Sequence, residues 1–348
     1  MRHEVLAAVV MLSACGTPSG SDAGVDAGAQ DAGSTITDAG QVIGTFQILH
    51  TVSQFGDSSS FFGKVFDGTT PVTTIFSTDL TDGDCRVETP RVPFCATPCG
   101  GSAACVEDNV CQPYPTSRNA GTLTATGFLL DTGTGGGGGS TGGGGGTGGG
   151  STGGGSAGGG TGGSSGTFEM TPINNGYQAP ASVTLAIPPF ADGAALSVVA
   201  AGSGAVSSFT LNTTGVAPIA LTQTTYNLAS NTALDLQWTP GSTSTAARIE
   251  VEIDISHHGG LRGQILCETN DDGSLTIGST LTTRLIGLGV SGFPTMVVRR
   301  VKKGTTGKVD FKAVSSTEVG LTIPGLTSCT DDSECPMGQT CQTDLRCQ

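Results

Sequence analysis

Along residues 247–255, ARIEVEIDI, the apolar side chains of Ile249, Val251, Ile253 and Ile255 alternate with Glu250, Glu252 and Asp254. A period of two puts the first set on one face of a strand and the carboxylates on the other, so this run predicts a half-buried strand. Residues 233–240 repeat the pattern with Leu234, Leu236 and Trp238 on one side, and a Pro240–Gly241 turn follows. Shorter runs at 122–128, 182–187, 195–199, 207–212, 263–268, 274–278, 296–301 and 308–314 are further strand candidates. Gly, Pro, Asn and Asp interrupt them every 8 to 12 residues, a spacing that suits a sandwich. A helical turn is predicted over 280–288, TLTTRLIGL. The fold class is therefore all-β, an antiparallel β-sandwich, with the single tryptophan, Trp238, read as core.

Two stretches do not fit that pattern. Residues 133–166 hold 23 of the 57 glycines of this 348-residue chain, and residues 15–43 repeat Asp-Ala-Gly at Asp22, Asp26, Asp31 and Asp38. Neither carries enough apolar surface to offset its ordering entropy, so both are predicted to lack fixed structure. The first reads as an insertion within one β domain and the second as an acidic tether. A net charge of −14 argues against general nucleic-acid binding. No apolar run approaches the roughly 20 residues that a membrane-spanning helix needs.

The N-terminus carries an address. Arg2 is a minimal basic region, Val5 to Leu12 form an apolar stretch, and small residues lead to Cys15. The tetrad Leu12-Ser13-Ala14-Cys15 resembles the lipobox of bacterial lipoproteins. That resemblance implies cleavage after Ala14 and lipid attachment at Cys15, and Gly16 in the next position implies sorting to the outer membrane. The acidic Glu4 departs from the usual signal.

Ten further cysteines, an even number in an exported chain, predict disulfides. Cys329, Cys335, Cys341 and Cys347 are evenly spaced at the C-terminus. Cys85, Cys95, Cys99, Cys105 and Cys111 form a group of five, and Cys267 stands apart. If the terminal four pair among themselves, one of the five must reach Cys267, and Cys85 is the expected partner. Cys95, Cys99, Cys105 and Cys111 then form a second self-contained four, whose spacing partly repeats the terminal one. No C-x2-C pair supports zinc. The terminal string CTDDSECPMGQTCQTDLRCQ resembles the Dickkopf-type N-terminal cysteine-rich repeat, including Pro336 and Gly338, which implies a small extracellular interaction or capping module.

A wider resemblance rests on LDLQWTPG, the strand after it, ILCETNDDGSLTI and the basic final pair of strands. These are similar to a β-domain of Gram-negative outer-membrane lipoproteins that carries no assigned activity, over roughly residues 44–328. The organisation expected is a signal peptide at 1–14, a tether at 15–43, a β-sandwich at 44–328 and a cysteine module at 329–348. The β-sandwich is interrupted by a cysteine-rich insert at 85–111 and the glycine tract at 133–166.

Candidate chemistry is sparse. His257 and His258 read as a polar turn, since adjacent histidines on a strand point apart and chelate well only in a loop. A G-x-S-x-G match around Ser164 lies in the glycine tract, outside the strand-turn-helix context of a nucleophile. Asp271 and Asp272 belong to a hairpin turn, and Asp79, Asp82 and Asp84 make an oxygen-rich run open to a calcium reading. Arg299, Arg300, Lys302, Lys303, Lys308 and Lys312 place six of fifteen basic residues within fourteen positions. That group reads either as a patch for anionic surface groups or as a solvated edge hairpin. The function expected is that of a non-catalytic, lipid-anchored envelope protein at the cell surface, in recognition, adhesion or a structural role. Its partners would be the membrane, through the anchor, and surface glycans or other envelope proteins, with no cofactor, metal or nucleic acid. The alternative is a glycan-binding accessory subunit or an envelope hydrolase.

Overall fold

A computed structural model describes residues 42–53, 56–131, 163–242, 246–258, 260 and 262–348. The first part of the chain forms β1 (Ile43–Val52), β2 (Ser58–Phe66), β3 (Ile75–Asp82), β4 (Cys85–Arg91), β5 (Ala103–Glu107), β6 (Val110–Pro113), β7 (Ser117–Arg118) and β8 (Leu123–Leu130). Then come β9 (Ser164–Met170), β10 (Gly176–Gln178), β11 (Ala195–Ala200), β12 (Phe209–Thr214), β13 (Tyr226–Asn227) and β14 (Leu234–Gln237). The last part holds β15 (Arg248–Asp254), β16 (Gln264–Asn270), β17 (Ser274–Ile277), α1 (Ser279–Gly287), β18 (Thr295–Thr306) and β19 (Lys308–Thr322).

The protein is all-β and disulfide-rich, as the alternation of its sequence requires. One large sheet runs in the order β10-β2-β1-β19-β18-β15-β16-β4-β3, and a smaller one in the order β12-β11-β8-β9. Neighbours along both orders are antiparallel except β1 and β19, which run parallel with Phe46 beside Phe311 and Ile48 beside Ala313, and the short β13 adds a second parallel pairing to the far end of β19. The first and last long strands of the domain thus close the sheet side by side. Such a parallel pair needs a long connection, and nearly the whole domain supplies it.

Two covers divide the inner face of the large sheet. The small sheet packs over β1, β2 and β19, and this core is aromatic: Phe46, Phe61, Phe128, Phe168 and Phe311 are all buried. Phe61 meets Phe128 edge to face at 5.9 Å, and Phe128 meets Phe168 at 5.6 Å. Pairs of this kind add about 0.5–1.5 kcal/mol each beyond their buried area. Gly63 makes the close packing feasible, because a Cβ there would lie 2.0 Å from the Phe46 ring. Over β15, β16, β18 and β4 the cover is α1 with the ribbon β14–β17, and the core is aliphatic: Ile249, Val251, Ile253 and Ile265 face Leu236, Leu281 and Leu285. The helix forms because Leu281 and Leu285 lie four residues apart on one face. It ends where Gly289 takes a left-handed conformation at φ 97°.

Several expectations change. Residues 182–187 form no strand beyond an isolated bridge from Leu185 to Leu130, because prolines at 180, 188 and 189 confine the run. The glycine tract gives up its last residues to β9: Ser164, Ser165 and Gly166 pair with Leu130, Leu129 and Phe128. The strands flanking the tract are therefore hydrogen-bonded antiparallel partners. Cys85 belongs to β4 rather than to the cysteine-rich insert. Strands β1 to β4 were not among the sequence candidates, although Phe46, Ile48 and His50 alternate plainly along β1.

Candidate recognition surface and the fate of the polar residues

The cysteines organise the exposed parts of the molecule. Cys85 and Cys267 sit opposite each other on β4 and β16 and are bridged, which joins the two sides of the glycine tract. The other eight form two interleaved pairs of bridges: Cys95–Cys105 with Cys99–Cys111, and Cys329–Cys341 with Cys335–Cys347. First joins third and second joins fourth in both modules. In each, the third and fourth cysteines face one another across a tight hairpin, Cys105 with Cys111 and Cys341 with Cys347. The residue at the tip is left-handed in both, Asn109 at φ 64° and Leu345 at φ 62°.

An aspartate precedes each tip. Asp108 accepts the backbone N–H of Phe94 at 3.0 Å and a hydrogen bond from Arg91 at 2.7 Å, and these hold its carboxyl below the usual range. Asp344 accepts from Arg346 at 2.8 Å and lies 3.7 Å from Arg262 of the β domain, with the same consequence. Each module is thus tied to the sheet domain by the carboxylate of its own hairpin turn.

Their surfaces differ. In the first module Val92 and Phe94 are 72% and 71% exposed, and Val110 and Tyr114 are also exposed. The Cys95 sulfur lies against the Val110 carbonyl, which brings the two ends of the module together. The Gln112 amide donates to the Thr69 carbonyl at 2.7 Å, fixing the module against the loop that carries exposed Val72. Single exposed hydrophobics are ordinary, whereas these four lie within one short cysteine-linked stretch, residues 92–114. In the terminal module Met337 is the exposed large hydrophobic.

The six basic residues do not share one face. Arg300 is fully buried, because alternation along β18 points it inward while Arg299 and Lys303 face the other way. Its guanidinium makes a 2.8 Å ion pair with Asp271 and donates to the carbonyls of Ala217, Pro218 and Thr239. Asp271 also accepts from the Trp238 indole at 2.8 Å and from the Gly241 N–H at 2.9 Å. Asp271, in the bend between β16 and β17, is thus also the hub of a buried network, and Trp238 is core. Sequence spacing gives no sign of this, since the partners are 29 and 33 residues from Asp271. Arg299 pairs with Glu252 and Lys303 with Asp310, while Lys302 donates to the Ala246 carbonyl. Lys308 is exposed beside the hairpin turn and Lys312 is half-buried opposite Lys303. Arg300 is thus withdrawn from any surface ligand, and Arg299, Lys302 and Lys303 already have protein partners.

The acidic run is likewise engaged. Asp79 pairs with Arg284 of α1 and Asp82 accepts from Thr280, so these carboxylates hold the helix to β3. Ser164 opens a strand, not a nucleophile turn. One further grouping was not foreseen: His50 Nδ1 lies 3.3 Å from Ser315 Oγ, and its Nε2 lies 4.0 Å from Asp57. The three residue types are those of a hydrolytic triad. Here, however, Ser315 is fully buried and its Oγ already accepts the Ile219 N–H at 2.9 Å, which leaves no approach for a substrate. Burial pushes the His50 imidazole below its ordinary pKa, with Asp57 opposing. Leu12, Ser13, Ala14 and Cys15 lie outside the described residues.

No protein-family model and no curated protein matches this chain. Among solved structures, the FN1–FN3 domains of chicken CNTN1 align over 78% of this chain and 71% of theirs, at 9% identity. The TM-score of 0.19 is too low to equate the two folds.

Proposed function

We propose that this protein is a lipid-anchored component of the bacterial cell envelope that works by recognition rather than catalysis, with the first cysteine module as its contact face. The observation that carries this reading is the exposed Val92, Phe94, Val110 and Tyr114 on a module that two disulfides hold rigid. Pre-organised apolar side chains lose little freedom on binding, and aromatic anchors supply much of the energy of protein interfaces. The anchor rests on the Leu12–Cys15 lipobox, and the acidic tether of residues 15–43 would carry the β domain away from the membrane. A hydrolase reading finds little support, because the buried Ser315–His50 pair offers no open nucleophile.

Protease treatment of intact cells, followed by immunoblotting for the β domain, tests both parts. Wild-type protein should be digested, and Cys15→Ala should leave the membrane fraction. A Val92→Ser/Phe94→Ser variant should reach the surface in equal amount yet lose attachment of cells to surfaces or to each other. Full protection of the wild-type protein would overturn the surface reading. Undiminished attachment by the double variant would overturn the role of the module.

A further inference from the structure

His257 and His258 follow β15 in a turn, not in a strand. The difference matters chemically. Adjacent side chains on a strand diverge, but His258 is left-handed at φ 64°, and its ring lies with its centroid 3.9 Å from that of His257. Histidine is one of the few non-glycine residues enriched in that backbone region, so the arrangement is accessible to this sequence. Both rings are exposed. The turn is fixed from outside by the Phe293 N–H, which donates to the His257 carbonyl at 2.9 Å.

A carboxylate completes the group. Asp254 lies with one oxygen 3.9 Å from His257 Nδ1. Its other oxygen accepts both the N–H and the hydroxyl of Ser256, at 2.7 and 3.0 Å, which orients the carboxylate. That separation is longer than a hydrogen bond, and closing it on metal binding would favour the tautomer that carries its proton on Nδ1 and leaves Nε2 free as a ligand.

We propose that His257 and His258 form a surface site for a divalent transition-metal ion of the imidazole-preferring class, Cu2+, Ni2+ or Zn2+, with Asp254 as a positioning residue. Each histidine gives one nitrogen, and water fills the remaining positions. Two neutral imidazoles with an adjacent carboxylate select these ions over Mg2+ and Ca2+, which prefer all-oxygen shells. The site is independent of the contact face on the first cysteine module.

The test is calorimetric titration of the full chain, purified without a histidine tag, with CuCl2, NiCl2, ZnCl2 and MgCl2. The expected result is one equivalent of transition metal, Cu2+ tightest in keeping with the usual order of divalent affinities, and no uptake of Mg2+. His257→Ala and His258→Asn should each abolish stoichiometric binding while leaving the thermal midpoint of the metal-free protein unchanged, since both rings are exposed and asparagine tolerates the left-handed backbone at 258. Asp254→Asn should keep the stoichiometry and weaken affinity by about tenfold. No stoichiometric binding by the wild type, or full binding by the His257→Ala/His258→Asn variant, would overturn the site. Unchanged affinity in Asp254→Asn would overturn the positioning role.

Discussion

The sheet domain and the two cysteine modules are held together by different forces. The domain buries two apolar clusters under two covers, and the one fully buried guanidinium among the described residues, that of Arg300, is matched by Asp271 and backbone carbonyls. The modules have almost no interior, and apart from Pro93, Ala104 and Cys329 their residues are half-buried or exposed. Chains this short cannot bury enough surface, so cross-links replace the core. The comparison teaches that the disulfide framework fixes a module's shape while leaving its remaining residues free to vary. Both modules keep the connectivity, the hairpin and the turn aspartate. One presents Phe94 and Val110 to solvent at positions where the other has Ser328 and Arg346.

The contrast can be broken most strongly in the core. Asp271→Ala leaves a buried guanidinium without its counter-charge and should cost about 3–5 kcal/mol. Urea unfolding should show the whole sheet domain lost at a lower midpoint, and an unchanged midpoint would mean that the network contributes nothing. Arg300→Met should cost less than Asp271→Ala, because it removes the buried charge instead of stranding it.

A smaller and local effect is expected from the modules. Cys95→Ala/Cys105→Ala removes a bridge spanning 10 residues, for which the chain-entropy estimate is about 3 kcal/mol. Hydrogen exchange should accelerate in residues 95–111 while the amides of β1 and β19 keep their protection. Simultaneous loss of protection in both would show that the module and the domain are one cooperative unit.

The mildest lever is pH. His50 is neutral in the core, with its pKa pulled below the ordinary 6.5 by burial. Unfolded chains take up the proton first as pH falls, so the stability present above 6.5 is lost between that value and the lower native pKa. Thermal midpoints measured at about pH 7.5 and about pH 5 should differ less for His50→Phe than for the wild type. An equal difference would assign the acid sensitivity to other groups. Asp108 and Asp344, held low by their arginine and backbone partners, lose their contribution only at still lower pH.

Much of the architecture was legible without coordinates, because a period of two dictates which side chains share a face. ARIEVEIDI contains β15 with its isoleucines buried, ALDLQW supplies β14 and the buried tryptophan, and all but the last residue of TLTTRLIGL lies in α1. The partnership of Cys85 with Cys267 was legible too, since counting an even set leaves few options. Face assignment was the weaker inference at the final hairpin. Six clustered basic residues looked like one surface, yet alternation had already assigned Arg299 and Arg300 to opposite faces.

What the sequence determined alone was local: strand period, turn positions, cysteine parity and the compositions that cannot form a core. These follow from backbone geometry and burial within a few residues. The tertiary structure decided what depends on separation across the chain. It placed β1 parallel to β19 and paired β8 with β9 on either side of the glycine tract. It brought Asp271 to Arg300 and Trp238, and it buried Ser315 against His50, 265 residues away. A residue type can do several things, and the field, solvent access and partners it meets are set by segments that sequence spacing does not bring together.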